Sequence, residues 1–293
     1  MRSLSLSWKN EGLELENARL RVTLIAMEEV LHWLQGEMER PGLFSWFHLL
    51  FLALILVATV LVSVLGRNAK YSTYRRILFF GWLLVSVMEV VKQLVRTFHY
   101  GSPSYWEYDF YHLPFHMCSM PLYLLPIVFL TPEKKRSSFT EAIEGFLSLY
   151  VLFAGLLVVL YNDVVMSTLT YTNIQSMIHH GTQVVLGVYI LVYRRACFSL
   201  KTWAKSIPVF LFLCLAAILV NCSVHVLTDG IDMFYLNPFA VTSVPGASYL
   251  QGTYGFWVYL LLYLLALTGV ALLTYGIYSL IRLIVNSAKK KRV

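Results

Sequence analysis

Long apolar stretches alternate with short polar loops along most of this chain. A helix needs about 20 mostly apolar residues to cross the ~30 Å hydrocarbon core of a bilayer, and seven stretches reach about that length. The pattern predicts an all-α fold, a polytopic membrane helix bundle with seven transmembrane helices. The predicted spans are residues 44–66, 77–97, 110–130, 142–162, 175–193, 207–227 and 256–283.

Composition excludes an ordinary soluble domain. Of the 293 residues, 58% are hydrophobic and 13% charged, whereas about a quarter of the residues of a soluble domain are charged. The chain divides into an extracellular segment (1–43), a seven-helix transmembrane domain (44–285) and a basic cytoplasmic tail (286–293). No cleavable signal peptide is expected, because the first 40 residues are charged.

Apolar residues in the N-terminal segment recur at helical intervals. The pattern predicts an amphipathic helix that ends at Pro41-Gly42 and lies on the outer surface or against the bundle. It either anchors the chain or covers a substrate entrance. Its apolar stripe is Leu13, Leu20, Leu24, Met27, Leu31, Leu34 and Met38.

Positive charge follows the first, third and fifth spans and the C-terminus, whereas the other loops are mainly acidic. The positive-inside rule therefore predicts an outside N-terminus and a cytoplasmic C-terminus in a multi-pass protein of the cell membrane. The net charge of +7 reflects this topology and does not indicate a nucleic-acid partner. The predicted partner is membrane phospholipid, whose anionic headgroups the basic loops can contact; protein partners stay open.

Polar residues inside the predicted spans all fall near one level, towards the outer face. Each ionisable residue costs roughly 2.5–3.5 kcal/mol on insertion scales, so such residues usually face the bundle interior and carry function. By span they are Glu89, Lys92, Gln93 and Arg96; His112, His116 and Cys118; His179, His180 and Gln183; and Asn221 and His225.

Their spacings of three and four residues place them on single helix faces. Glu89 can neutralise Lys92 or hydrogen-bond Gln93, either to fix helix register or to bind a phosphate headgroup. Arg96 can extend to the interface. Three further pairs lie four residues apart: His112 with His116, His179 with Gln183, and Asn221 with His225. For Asn221 and His225, an interhelical hydrogen bond is an alternative to a catalytic role.

The four cysteines show no paired spacing, so neither a disulfide framework nor a zinc ribbon is expected. They are Cys118, Cys197, Cys214 and Cys222. Cys118 is either an inert packing thiol or a nucleophile activated by a neighbouring base. On a regular helix it would point about 200° away from His116, unless Pro114 and Pro121 distort that turn.

Three stretches carry a resemblance: YHLPFHMCSM at the head of the third span, IQSMIHHGTQVVLGVYIL in the fifth and FYLNPFAVTSVPG before the seventh. With them, residues of about 45–285 resemble the YwaF-type integral membrane proteins. That family is similar in turn to a eukaryotic seven-span acyltransferase family, which moves acyl chains onto ether-linked lysophospholipids through an acyl-cysteine.

The resemblance implies particular site residues. The acyltransferase family has a Pro-Cys-His triplet where this chain has Pro114-Phe115-His116, so Phe115 stands at the nucleophile position. The family's fifth-span histidine falls on His180. The two histidines, His116 and His180, therefore match the family pattern, and the nucleophile does not. Three alternatives follow: Cys118 substitutes for the nucleophile, the chain carries out a different chemistry, or it has lost catalysis.

Three functional hypotheses follow. The first is an acyltransferase or hydrolase acting on membrane lipids, with no cofactor, with His116, His180 and Cys118 catalytic and the other polar residues binding substrate. The second is a metal-dependent lipid hydrolase with His112, His116, His180 and His225 as ligands, since three histidines and a water make a catalytic zinc site. The third is a transporter, receptor or scaffold that binds without turnover.

Overall fold

The protein is described here from a computed structural model, which covers residue 19 and residues 22–194, 198–228, 230–244 and 246–290. The described chain is mainly helical. Its helices are α1 (22–34), α2 (Trp46–Gly66), α3 (Tyr71–Thr97), α4 (Met120–Leu130), α5 (Ser138–Leu160), α6 (Thr170–Tyr193), α7 (Leu200–Val224), α8 (Ala247–Tyr254) and α9 (Phe256–Lys290).

Smaller elements interrupt or join these helices. α5 contains a π-helical turn, Leu147–Val151. Strands β1 (Phe98–His99) and β2 (Tyr105–Trp106) form a short antiparallel hairpin. Single 3₁₀ turns lie at Phe110–His112, Met117–Ser119, Glu133–Lys135, Asn162–Val164 and Met233–Tyr235.

Five helices of the described chain are long and apolar enough to cross a membrane: α2, α3, α5, α7 and α9 as far as Ala288. They correspond to five of the seven predicted spans. α4 is apolar but short. α6 has 24 residues but carries two histidines and several amides, which lower its hydropathy.

The helix predicted over 110–130 is wrong in its first ten residues. α4 begins at Met120, and the preceding residues form two 3₁₀ turns joined by extended backbone. Leu113 has a ψ of 126° because a following proline, here Pro114, disfavours the helical region. The predicted outer third of the third span is therefore a non-helical segment, residues 110–119.

α6 lies at the centre of the bundle, packed against α2, α3 and α5. Its glycines allow close approach. A Cβ on Gly181 would lie 2.6 Å from Ile55 Cγ1, and one on Gly187 would lie 2.8 Å from Leu152 Cβ. Both distances are shorter than any normal contact, so a Cβ at either position would force the neighbouring side chain to move.

The two ends of the bundle differ in character. We call the end with residues 98–119, 161–169 and 225–255 the loop end, and the end with residues 67–70, 131–137 and 194 the basic end. Two contacts join the N-terminal segment to the loop end: Met38 N donates to Thr168 O at 2.8 Å, and Arg40 pairs with Asp163 at 3.1 Å.

The N-terminal stripe packs only in part. Leu31 is buried against Val95 and Phe98, and Leu34 and Met38 are half-buried, whereas Leu24 and Met27 are exposed. The beginning of the stripe, Leu13 and Leu20, lies outside the described residues. The apolar stripe therefore packs over the second half of α1 and the segment that follows it, but the helix ends at residue 34, seven residues before the predicted end at Pro41-Gly42.

Candidate functional site

A buried carboxylate organises the polar residues of α3. Glu89 is 5% exposed and lies 2.8 Å from Lys92 Nζ. Gln93 Nε2 donates to Glu89 Oε1 at 2.7 Å and to the carbonyl of His112, also at 2.7 Å. Gln175 on α6 donates to Glu89 Oε2 at 3.4 Å. Both partners predicted for Glu89 are confirmed, and the network joins α3, α6 and the 110–119 segment.

Histidines 112 and 116 do not share a helix face, so the predicted one-turn spacing is wrong. His112 ends a 3₁₀ turn with its Nε2 atom 3.4 Å from Asp109 Oδ2. His116 stands before the next turn in extended backbone (φ −85°, ψ 165°). Its ring centroid lies 5.8 Å from that of Tyr235. The two rings are therefore placed by the proline-containing segment and not by a helical stripe.

Tyr235 is a site residue that sequence reasoning did not find. Desolvation of its hydroxyl raises the pKa of Tyr235 to about 12, and nearby Cys118 acts in the same direction. The phenol therefore stays protonated at neutral pH and can donate a hydrogen bond. It stands at φ 60° in a loop, which hydropathy patterns do not describe.

Cys118 joins this segment to α6 through its backbone. His179 Nε2 donates to the Cys118 carbonyl at 2.8 Å, and Gln183 Nε2 donates to the same oxygen at 2.6 Å. Cys118 also interacts electrostatically with Lys92. Because His179 and Gln183 are four residues apart, they reach the same oxygen from one face of α6.

His180 points elsewhere on α6. Its Nδ1 atom lies 2.8 Å from the carbonyl oxygen of Ser176, one turn earlier, and its ring centroid is 5.4 Å from that of His179. Both rings are buried. The pair therefore divides its contacts: His179 contacts the Cys118 residue, and His180 is oriented by its own helix.

Asn221 and His225 support a loop and lie apart from the Cys118 contacts. Asn221 donates to Met233 O at 3.0 Å and accepts from Met233 N at 2.7 Å. His225 follows the last residue of α7 and stacks on Phe239, with 4.2 Å between ring centroids. Of the two sequence interpretations, a hydrogen bond between segments is the one this geometry matches.

Arg96 is likewise placed with a loop residue. Its Nη2 atom lies 3.9 Å from Asp109 Oδ2, next to His112. The pair is partly exposed, so Arg96 reaches the edge of the site at the loop end, as an extended interfacial arginine does.

The histidines do not form a metal centre. Across the described parts of the chain, no three His, Cys, Asp or Glu side chains are grouped so that they could hold a metal ion. The four proposed ligands are all described, and His225 lies with Phe239 while His180 faces its own helix. The geometry therefore gives the metal-dependent hypothesis no ligand set.

A narrow cavity lies beside the Cys118 contacts, between α4, α5 and α6. Its volume is about 10 Å³, which is roughly the space for the centre of one water molecule. His179, Thr182 and Gln183 supply its polar lining, and its walls are apolar. The π-helical turn of α5 forms one wall, and such turns often occur at functional sites.

Sequence reasoning also missed a second polar cluster, at the basic end. Glu144 is 2% exposed and accepts from Tyr74 at 2.7 Å and from Arg136 Nη1 at 2.8 Å. Arg194 lies 3.4 Å from the other carboxylate oxygen. The available signal was an acidic residue inside the predicted fourth span.

One comparison with known proteins gives a match. The sequence model of the TMEM164 family matches residues 43–275, which include every candidate site residue named above. No curated protein and no solved structure matches the chain. The resemblances to YwaF-type proteins and to the acyltransferase family stay predictions. Since the match covers most of the chain, this protein belongs to the TMEM164 family and is a multi-pass membrane protein.

Proposed function

We propose that this protein is a lipid acyltransferase or hydrolase that acts on membrane phospholipid, with Cys118 as the nucleophile. The observation that carries the proposal is a pair of hydrogen bonds to the Cys118 carbonyl oxygen, from His179 Nε2 at 2.8 Å and from Gln183 Nε2 at 2.6 Å. These bonds fix the backbone of Cys118 beside the buried His179, and a thiol near a base is the usual start of acyl transfer.

The surrounding groups supply the other needs of that chemistry. A base must take the thiol proton, and His116 and His180 are the candidates. A developing oxyanion needs hydrogen-bond donors. Tyr235, which interacts electrostatically with Cys118, is the candidate donor. The charges of Lys92 and Glu89 both act on the sulphur, in opposite directions.

The same side chains suggest how a phospholipid is held. Lys92, Gln93 and Arg96 lie along the side of α3 that meets the 110–119 segment, which carries His112. In this proposal Lys92 and Arg96 attract the phosphate, and Glu89 limits the net charge through its pair with Lys92. Arginine suits phosphate because its planar fork can form two parallel hydrogen bonds.

The proposal includes a seven-span bundle in the cell membrane, with the N-terminus outside. α4 and α6 complete the spans: α6 is long enough at 24 residues, and its polar side chains face neighbouring helices instead of lipid. The loop end is then extracellular and the basic end cytoplasmic, as the distribution of Lys and Arg favours. The site lies in the outer half of the bundle.

Phe115, where the resemblance expects a nucleophile, is a packing residue. Its ring lies 6.0 Å from that of Tyr123 and 6.3 Å from that of Phe234. Cys118 is three positions later, and the non-helical 110–119 segment removes the geometric objection that a regular helix would raise. A shift of the nucleophile within one loop is therefore sterically reasonable.

The test is acyl exchange between phospholipid and lysophospholipid in vesicles that contain the purified protein. Cys118→Ala and His180→Ala should each lower the rate by about a hundredfold or more, since a nucleophile and its base act together. Cys222→Ala is the matched control, because Cys222 is an exposed free cysteine on α7, and it should keep the wild-type rate. An unchanged rate in either site variant removes that residue from the proposal.

A second candidate function is lipid binding without turnover. It is favoured by the contacts of the Glu89 carboxylate, which already has Lys92, Gln93 and Gln175 as partners. These contacts suit a polar group that holds neighbouring segments in place and does not take part in a reaction. Titration of the same vesicles with labelled phospholipid separates the two. Saturable binding that depends on Lys92, with no change in acyl composition, would support this candidate and contradict the enzyme.

A further inference from the structure

The N-terminal helix α1 has a second apolar face, which no described residue covers. Exposed apolar residues recur along it at intervals of four, four and three, which places them on one side of a helix: Val22, Ala26, Val30 and Trp33. Leu31, which is buried, points away from them, because an offset of two residues from Trp33 is about 200° on a helix. An exposed apolar face of this kind marks contact with a membrane or a protein.

The packing of α1 places this face at the boundary of the bilayer. Leu31 packs against Val95 and Phe98, at the end of α3, which is one of the helices long and apolar enough to cross a membrane. Gln35 Nε2 donates to the carbonyls of the same two residues, at 2.9 and 2.6 Å. α1 is therefore fixed to the end of a span, where hydrocarbon gives way to headgroups.

The surface next to α1 already faces lipid. Leu94, the neighbour of Val95 in sequence, is exposed on α3, and so is Val90, one turn earlier. Trp33 on α1 is 78% exposed, and Trp46, the first residue of α2, is 72% exposed. Tryptophan is enriched where a membrane meets water. The exposed face of α1 therefore continues a surface that the bilayer covers.

A polar edge of α1 faces the hairpin that follows α3. Glu29 Oε1 accepts from the Tyr100 hydroxyl at 3.3 Å, and His32 stacks on the Tyr100 ring with 3.9 Å between centroids. All three residues are exposed. A helix with an apolar face and a polar edge lies in the plane of the interface, with the polar edge towards headgroups and water.

The charge of the segment indicates which lipid it meets. Residues 22–40 contain four glutamates and one arginine, which gives a formal charge of −3. Helices that bind anionic lipid carry Lys and Arg on their polar side instead. We infer that α1 is an interfacial helix that docks on a zwitterionic phospholipid surface and inserts Val22, Val30 and Trp33 among the acyl chains. The inference is independent of the proposed reaction, because it uses none of the proposed catalytic or substrate-binding residues.

Fluorescence quenching tests the insertion. In the full-length chain without natural cysteines, Val30→Cys on the apolar face and His32→Cys on the polar edge each carry an environment-sensitive label, in phosphatidylcholine vesicles. Phosphatidylcholine with a nitroxide on its acyl chain should quench the label at residue 30 about threefold more than the label at residue 32. Equal quenching at both positions would overturn the inference. Ala26→Cys and Glu29→Cys repeat the comparison if the first pair does not fold.

Lipid charge and a second copy of the chain provide further outcomes. Replacing about a third of the phosphatidylcholine with phosphatidylglycerol at low salt should lower the quenching at residue 30 by about half, because the acidic segment is repelled. The variant Glu37→Gln/Glu39→Gln, at two exposed positions, should reduce that loss. Quenching that rises with phosphatidylglycerol would overturn the zwitterionic preference. Disulfide crosslinking of V30C between two copies, with no quenching by lipid, would assign the face to a dimer and overturn the inference.

Discussion

At the scale of single residues, the buried carboxylate of Glu144 holds the basic end together. It accepts hydrogen bonds from Tyr74 on α3 and from Arg136 before α5, and it lies 3.4 Å from Arg194 after α6. Three chain segments therefore share one anion. Ion pairs of this kind contribute little net stability when complete, but removing one member leaves buried charge uncompensated.

Glu144→Gln should lower the free energy of unfolding by about 3–5 kcal/mol, because two arginines lose their buried counter-ion. Denaturant titration in detergent micelles measures this change. The matched control is Glu141→Gln on the same helix. Its pair with Lys205 is 37% exposed on each side, so the change should stay within about 1 kcal/mol. Equal effects of the two substitutions would contradict a special role for Glu144.

Sequence reasoning found some of these residues and missed others for a physical reason. Glu89, Lys92 and Gln93 lie on one regular helix, so spacing alone predicted their contacts. Cys118 meets α6 through its backbone carbonyl, an interaction that no side-chain pattern reports. Tyr235 reaches the site from an irregular loop, and its position depends on tertiary packing.

At the scale of elements, α6 makes the closest helix contacts that position the site. Its glycines face Ile55 on α2 and Leu152 on α5 at distances where a Cβ would force a neighbouring side chain to move. The same helix carries His179, His180 and Gln183. A displaced α6 would therefore move both the Cys118 contacts and the cavity.

Gly181→Ala should destabilise the protein by about 1–3 kcal/mol, because the new Cβ would stand 2.6 Å from Ile55 Cγ1 and overpacking costs that much. Thermal unfolding in detergent gives the change. Gly276→Ala on α9 is the control. No atom lies within 4 Å of a Cβ there, so the better helix propensity of alanine should stabilise by about 0.5–1 kcal/mol.

The double variant Gly181→Ala/Ile55→Ala tests the cause. Shortening Ile55 removes the atom that the new Cβ would meet, so the pair should be more stable than the sum of the two single changes implies. Strict additivity would mean that crowding between α2 and α6 is not the source of the loss.

The helices themselves were predictable where long apolar runs decide them. The span predicted over residues 44–66 corresponds to α2 (Trp46–Gly66), because no residue in that apolar run disfavours a helix. The start of α4 was not predictable from hydropathy, because Pro114 changes the backbone conformation while the residues around it are still apolar. α3 and α7 begin earlier than predicted, at Tyr71 and Leu200, since helices continue past the apolar run into polar turns.

At the scale of the whole molecule, the number of spans decides which loops share a side. Both a seven-span and a five-span bundle with an outside N-terminus place residue 70 inside and residue 102 outside. They differ at two loops. With seven spans, residue 134 is inside and residue 161 outside; if α4 and α6 do not cross, these sides are exchanged.

Cysteine labelling resolves this question. In a variant without natural cysteines, Lys134→Cys should react with a membrane-impermeant maleimide only after the membrane is opened, and Tyr161→Cys should react in intact cells. Both positions are exposed. Lys70→Cys and Ser102→Cys serve as inside and outside controls. Of these two arrangements, the seven-span bundle is the one that places the hydrogen-bonded residues Met38 and Thr168 on the same side, and it is the one we expect. Labelling with sides reversed at residues 134 and 161 would therefore contradict both the topology and an outer-leaflet site.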